Sequence, residues 1–216
     1  MQAGGLDACL KALLPVTRGI DAFTTWMGKR IAWLILAAVV VSALNAIVRK
    51  TFDVSSNSWL ELQWVLFSLV FLLCSPWTLL ANEHIRIDIV NSMLPQPVRN
   101  WIDVVGHAFF LLPLTIIMII TSFPFVTKSV LLNEQSMNAG GLPQWPAKSL
   151  LLIGFFLLFL QGLSELVKRI AVMRGLISDP YTSEGGLHAA AEAEVQRLLA
   201  EADVQKLLAE TKPDTH

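Results

Sequence analysis

Charge is what this chain has least of. Of its 216 residues only 15% are Asp, Glu, Lys or Arg, against 54% hydrophobic, too apolar for a soluble domain of this size and typical of the membrane class. A basic excess is also missing. The formal net charge is −1, whereas a phosphate-binding protein needs Lys and Arg massed on one face, so no nucleic-acid partner is expected. Cysteine is confined to Cys9 near the N-terminus and Cys74 inside an apolar run; a bridge from a flanking segment into a membrane core is poor geometry, and both read as free thiols. No His-x3-His or Cys-x2-Cys spacing is present to hold zinc, and no G-x-x-x-x-G-K loop to cradle a nucleotide. Of the four histidines only His107 falls inside a span, so a b-type haem would lack its second axial ligand. The expectation is a protein without catalytic residues, cofactor or metal. Met1 to Asp7 has no basic residue and Pro15 interrupts the apolar positions that follow, unlike a cleaved signal peptide.

What the chain does have is long apolar runs. Ile31 to Val48 is eighteen residues without a charge, bounded by Lys29-Arg30 and Arg49-Lys50, enough for a helix across a hydrocarbon layer of ~30 Å. Three more runs follow at about 59–80, 102–127 and 149–167. The fold class is therefore all-α, an integral membrane protein with four transmembrane helices plus interfacial amphipathic helices. The third run exceeds the ~20 residues a span needs, so it is tilted, extended beyond the membrane, or bent at Pro113 and Pro124. Three regions are expected: an N-terminal interfacial segment 1–28, a four-span membrane domain 29–175, and an Ala/Glu-rich tail 176–216. In the first, apolar positions recur every three to four residues from Leu6 to Met27, with Lys11, Arg18 and Asp21 among them. That pattern suits a helix on the membrane surface broken near Pro15, or equally a frayed lead-in with no partner. In the tail, Glu194 to Ala202 nearly repeats as Asp203 to Thr211. A nine-residue period turns the second Leu pair to the opposite helix face, which argues against a continuous coiled coil.

Orientation follows from Lys and Arg near the span ends. One side receives Lys11, Arg18, Lys29, Arg30, Arg86, Arg99, Lys168, Arg169 and Arg174; the other receives Arg49, Lys50, Lys128 and Lys148. The richer side is expected to be cytoplasmic, with both termini.

The candidate functional residues are polar groups that look placed for contact. Glu83, His84, Arg86 and Asp88 lie in the charged segment between spans two and three. Glu61, Gln63 and Trp64 open span two. Gln161, Ser164 and Glu165 share a helical face toward the exit of span four. An ionised Glu61 one turn inside an apolar run asks for a partner. Each also has a bland explanation: Arg86 can anchor at headgroups, Asp88 can pair with it or cap a short helix, and Gln161 can bond between helices. No charged line crosses the spans, which is poor material for a transport pathway and good material for a scaffold.

The segment Glu83-His-Ile-Arg-Ile-Asp88, after a second span and before Pro95-x-Pro97-x-Arg99, resembles the motif of the small membrane subunit (Q, DctQ-type) of tripartite ATP-independent periplasmic (TRAP) transporters. Asn57 to Trp64 is similar to that family's entry into span two. Gly141-Leu-Pro-Gln-Trp-Pro146, Lys148, Gly154-Phe155, Gln161 and Glu165 extend the similarity, which covers about residues 20 to 172. The resemblance implies a four-helix bundle in the bacterial inner membrane that scaffolds a large multi-spanning M subunit. It also implies ion-gradient-driven uptake of an organic acid delivered by a periplasmic binding protein; the form of the loop 136–146 leans toward small monocarboxylates or 2-oxoacids. On that basis Glu83, His84, Arg86 and Asp88 are expected partner contacts on the cytoplasmic side. Glu61, Gln63, Trp64, Gln161 and Glu165 are expected contacts within the membrane or on its outer side, and lipids are a further partner. The alternative is a stand-alone four-helix membrane protein, a redox carrier or an assembly factor.

Overall fold

A computed structural model of the chain describes residues 3–53, 56–81 and 95–177. Among them are helices α1 (Ala3–Ala32), α2 (Leu34–Phe52), α3 (Asn57–Leu80), α4 (Gln96–Val105), α5 (Leu112–Leu131) and α6 (Trp145–Met173), with a π-helical segment, Gly106–Leu111, joining α4 to α5. Among the described residues four stretches are long and apolar enough to cross a membrane: Leu10–Phe52, Asn57–Leu80, Pro97–Leu131 and Trp145–Met173. The expected all-α, four-span architecture is the one found.

Burial is inverted relative to a water-soluble bundle. Phe71 is 77% exposed and Leu131 79%, while Gln161 and Thr115 are completely buried. Lipid solvates apolar side chains, so they gain nothing by turning inward, whereas a polar group in hydrocarbon must find a partner inside the protein.

The last of the described helices, α6, is the central packing element, touching α1, α3, α4 and α5. Small residues bring its neighbours close. A Cβ on Gly154 would lie 2.8 Å from Leu72 Cβ of α3, and one on Gly162 would lie 2.8 Å from Leu111 Cδ2. Close backbone approach at small residues is how membrane helices gain van der Waals contact without a hydrophobic drive between them. Pro146 in the first turn starts α6 without wasting a donor, since N–H groups there have no intrahelical acceptor.

Two expectations are corrected. First, α1 is not broken near Pro15; it is helical from Ala3 to Ala32 and turns only at Trp33, where α2 begins. Pro15 removes one backbone donor, but Lys11, four residues earlier, is exposed, so water can serve the carbonyl that the ring leaves unpaired. The helix is held by tertiary contact along one seam. Leu10, Thr17 and Thr24, spaced by seven, are buried together with Met27, and Gly28 abuts Trp77 of α3, where a Cβ would lie 2.6 Å from the ring.

Second, the third span runs from Pro97 to Leu131, the extension that was one of the expected alternatives, and its irregularity lies before Pro113 rather than at it. Leu112 N–H bonds to His107 O, five residues back, which opens the turn that the proline ring would otherwise crowd. The hydroxyl of Thr115 then bonds Leu111 O at 2.9 Å, supplying polar contact where the ladder changes register. Pro124 sits inside continuous α5.

Candidate functional site

Two groups of polar side chains that join different elements lie at the two ends of the bundle. At the end where α6 starts, Glu61 is one turn into α3 and its partner is the loop 132–144. Oε2 of Glu61 accepts from the Leu142 N–H at 2.6 Å, and Oε1 accepts from Asn138 Nδ2 at 2.8 Å and from the Ser136 hydroxyl. Asn57 Nδ2 donates to Ala139 O at 3.1 Å and the Ser58 hydroxyl donates to Gly140 O. The first turn of α3 thus straps down the whole loop. The loop closes on itself as a tight hairpin, with Ser136 N–H to Leu142 O at 3.2 Å and Gln144 N–H to Glu134 O at 2.9 Å. Gly140 takes φ +69° at its tip, a conformation glycine adopts without steric cost. Lys148, on α6, donates to the Glu134 carboxylate, and that bond holds Glu134 below the usual carboxylate range.

Trp64 stands on the outward side of the same helix, 64% exposed. It walls a groove of ≈ 200 Å³ together with Glu61, Ser68, Asn138, Leu142 and Gln144. Gln63 is half-buried on α3. The structure therefore brings Glu61 and Trp64 to one groove and turns the Glu61 carboxylate toward the chain's own loop.

At the opposite end a second network joins α1 to α6. Gln161 Nε2 donates to Asp21 Oδ1 at 2.9 Å and to Glu165 Oε1 at 3.1 Å, and Gln161 Oε1 accepts from the Thr24 hydroxyl at 2.9 Å. Ser164 Oγ donates to Asp21 Oδ1 at 3.1 Å. Lys168 closes the set, with Nζ at 2.9 Å from Asp21 Oδ2 and 2.6 Å from Glu165 Oε1. Gln161 and Glu165, expected as partner contacts, are buried against α1, and their polar ends face into the chain. One residue further round α6, Arg169 serves α4: it meets Asp103 at 2.7 Å and Asn100 Oδ1 at 3.2 Å, all three side chains being largely buried. Consecutive residues on a helix point ~100° apart, so Lys168 and Arg169 pin two different helices.

Asp21, Lys168 and the Asn100–Asp103–Arg169 cluster were not among the expected site residues. Their only signal in the sequence is the recurrence of charge at otherwise apolar-periodic positions. His107, the one histidine in a span, is buried with Nδ1 2.6 Å from Asp103 O. A carbonyl oxygen can only accept, so Nδ1 carries the proton in that contact. Among the described residues no three of His, Cys, Asp or Glu come together as a metal set. The remaining expected contacts, Glu83, His84, Arg86 and Asp88, lie outside the described residues, as does the tail from Ser178.

Four apolar spans, polar groups tied to one another at either end, and an apolar exterior define a multi-pass helical membrane protein. The chain belongs to the DctQ component family of the tripartite ATP-independent periplasmic transporters: residues 36–172 match it, from α2 through nearly all of α6. It is thus a small TRAP transporter component and not a member of an enzyme family. Comparison with curated proteins and with solved structures gives no match.

Proposed function

We propose that this chain is the small permease subunit of a TRAP-type secondary transporter, a static scaffold for the large M subunit during ion-gradient-driven uptake of an organic acid. A periplasmic binding protein delivers the substrate, and the M subunit carries the substrate and ion sites. The observation that carries this reading is how the described polar groups of the spans are disposed. Gln161, Ser164, Glu165 and Lys168 bond to α1, and Glu61 bonds to the loop, so these polar groups brace helices against each other. A rigid, outwardly apolar bundle suits a part that other helices move against.

In this reading the bundle lies in the bacterial inner membrane with both termini cytoplasmic, because the positive charge collects at the end bearing Lys168, Arg169 and Arg174. The groove beside Trp64 and the strapped loop then face the periplasm, where the binding protein docks. Glu83, His84, Arg86 and Asp88 are the cytoplasmic contacts to M.

Purification of the tagged chain from its own host in mild detergent, with mass spectrometry of what stays bound at equal stoichiometry, tests the assignment. A single large multi-span partner supports it. A homogeneous chain without a companion overturns it in favour of a stand-alone bundle.

A further inference from the structure

We propose that the outward face of α1 is a binding surface for the headgroups of anionic phospholipids. The helix carries four cations, Lys11, Arg18, Lys29 and Arg30, and two acids, Asp7 and Asp21. The fold sorts them by sign. Asp7 meets Arg174 at 3.5 Å and Asp21 meets Lys168 at 2.9 Å, so both acids are engaged at the C-terminal end of α6. All four cations are exposed, and among the described residues none of them meets a carboxylate.

Their arrangement on the helix is equally ordered. Lys11, Arg18 and Lys29 are separated by seven and eleven residues, so at ~100° per residue they fall in one line along the helix. On the side of the helix roughly 60–140° round from that line lie the exposed apolar residues Val16, Phe23 and Trp26, with exposed Trp33 at the turn beyond the helix end. Phe23 and Trp26 stack with centroids 6.4 Å apart, and the Arg30 guanidinium lies 5.3 Å from the Trp26 ring centroid. Aromatic rings beside a row of cations are what an interfacial helix needs, rings at the acyl boundary and cations at the phosphates.

Depth is set by α6. Its apolar run ends at Val167, and the next residue, Lys168, holds Asp21, which brings the middle of α1 to the level where α6 leaves the hydrocarbon. A zwitterionic headgroup supplies its own cation. An anionic one leaves a net negative charge for the unpaired row, which is why the surface selects by charge. The inference requires the membrane location and is independent of which large subunit the chain joins.

The test uses the full-length chain, purified and delipidated in detergent. It is titrated with phosphatidylglycerol or phosphatidylcholine of identical acyl chains and read by native mass spectrometry. Retention of phosphatidylglycerol is expected to exceed that of phosphatidylcholine by about tenfold, the effect of one to two cations near an anionic surface. The variant Lys11→Gln/Arg18→Gln/Lys29→Gln/Arg30→Gln should bring the ratio close to one, while Arg49→Gln/Lys50→Gln at the other end of α2 should leave it unchanged. Equal retention of the two lipids by the unaltered chain, or an undiminished preference in the fourfold variant, overturns the proposal.

A second readout does not depend on the fourfold variant folding. Brominated phosphatidylglycerol should quench tryptophan fluorescence of the unaltered chain more than brominated phosphatidylcholine, and Trp26→Phe should remove part of that difference. Equal quenching by both lipids, or no change on Trp26→Phe, overturns it.

Discussion

The Asp21 carboxylate and the Lys168 ammonium meet at 2.9 Å across 147 residues of chain. That pair, with Glu165 at 2.6 Å from the same nitrogen, fastens the N-terminal helix to the final span. Lys168 and Asp21 are both largely but not completely buried, so the pair is worth more than a surface ion pair and less than one sealed from solvent. Lys168→Met takes the shared cation from two carboxylates and should lower stability by about 2–3 kcal/mol, between the exposed and the fully buried cases. Thermal denaturation of the purified protein in detergent measures it. A change below the scatter of neutral surface variants such as Arg49→Gln would refute the role given to the pair.

Gly28 should resist substitution. A Cβ there would lie 2.6 Å from the Trp77 ring, a large side chain with no free end to swing aside, so Gly28→Ala should cost about 1–3 kcal/mol by overpacking. Trp77→Ala should partly suppress that loss, and a double-mutant cycle with no coupling between the two would contradict the contact.

Glu61→Gln keeps the shape of the side chain and removes its charge. The Leu142 N–H then loses a charge-assisted acceptor, and its hydrogen exchange should quicken by about tenfold. Amides in the middle of α6 should be unaffected. Exchange monitored by mass spectrometry over 136–142 provides the check; protection that survives the substitution would mean the loop is held by other means.

The same loop should loosen in acid. Glu134 has its carboxyl held down by the Lys148 bond, so its contribution is fully present above the ordinary carboxylate pKa. That contribution is lost as pH falls through the lowered value. Hydrogen exchange at Gln144, whose N–H bonds Glu134 O, should therefore rise on acidification once the intrinsic pH dependence is removed. Glu134→Gln should flatten that rise; an identical pH profile in the variant would assign the effect elsewhere.

In the segment between spans two and three, Arg86→Ala should lower the yield of the complex with the large subunit, or substrate uptake, more than Lys206→Ala in the tail. Equal effects would remove Arg86 from the partner contacts.

The four spans were legible in the sequence because hydrocarbon imposes a length and a composition on any helix that crosses it, and Ile31 to Val48 satisfies both without reference to anything else. The demand of Glu61 for a partner was legible for the same reason. Which partner it takes was not, because Leu142 is 81 residues away and only the packing of α3 beside α6 brings the loop over it. The face shared by Gln161, Ser164 and Glu165 could be read from helical spacing, but spacing does not say what lies opposite. Tertiary structure placed Asp21 and Thr24 there, so the shared face bonds between helices. It also carried α1 through Pro15, since the buried seam of Leu10, Thr17 and Thr24 stabilises a helix that local propensity alone would interrupt. Composition and periodicity determined that the chain is a four-span membrane protein, because those properties act through each segment's own solvent. Which polar groups pair was decided only by the fold, because an ion pair depends on two helices meeting at one depth.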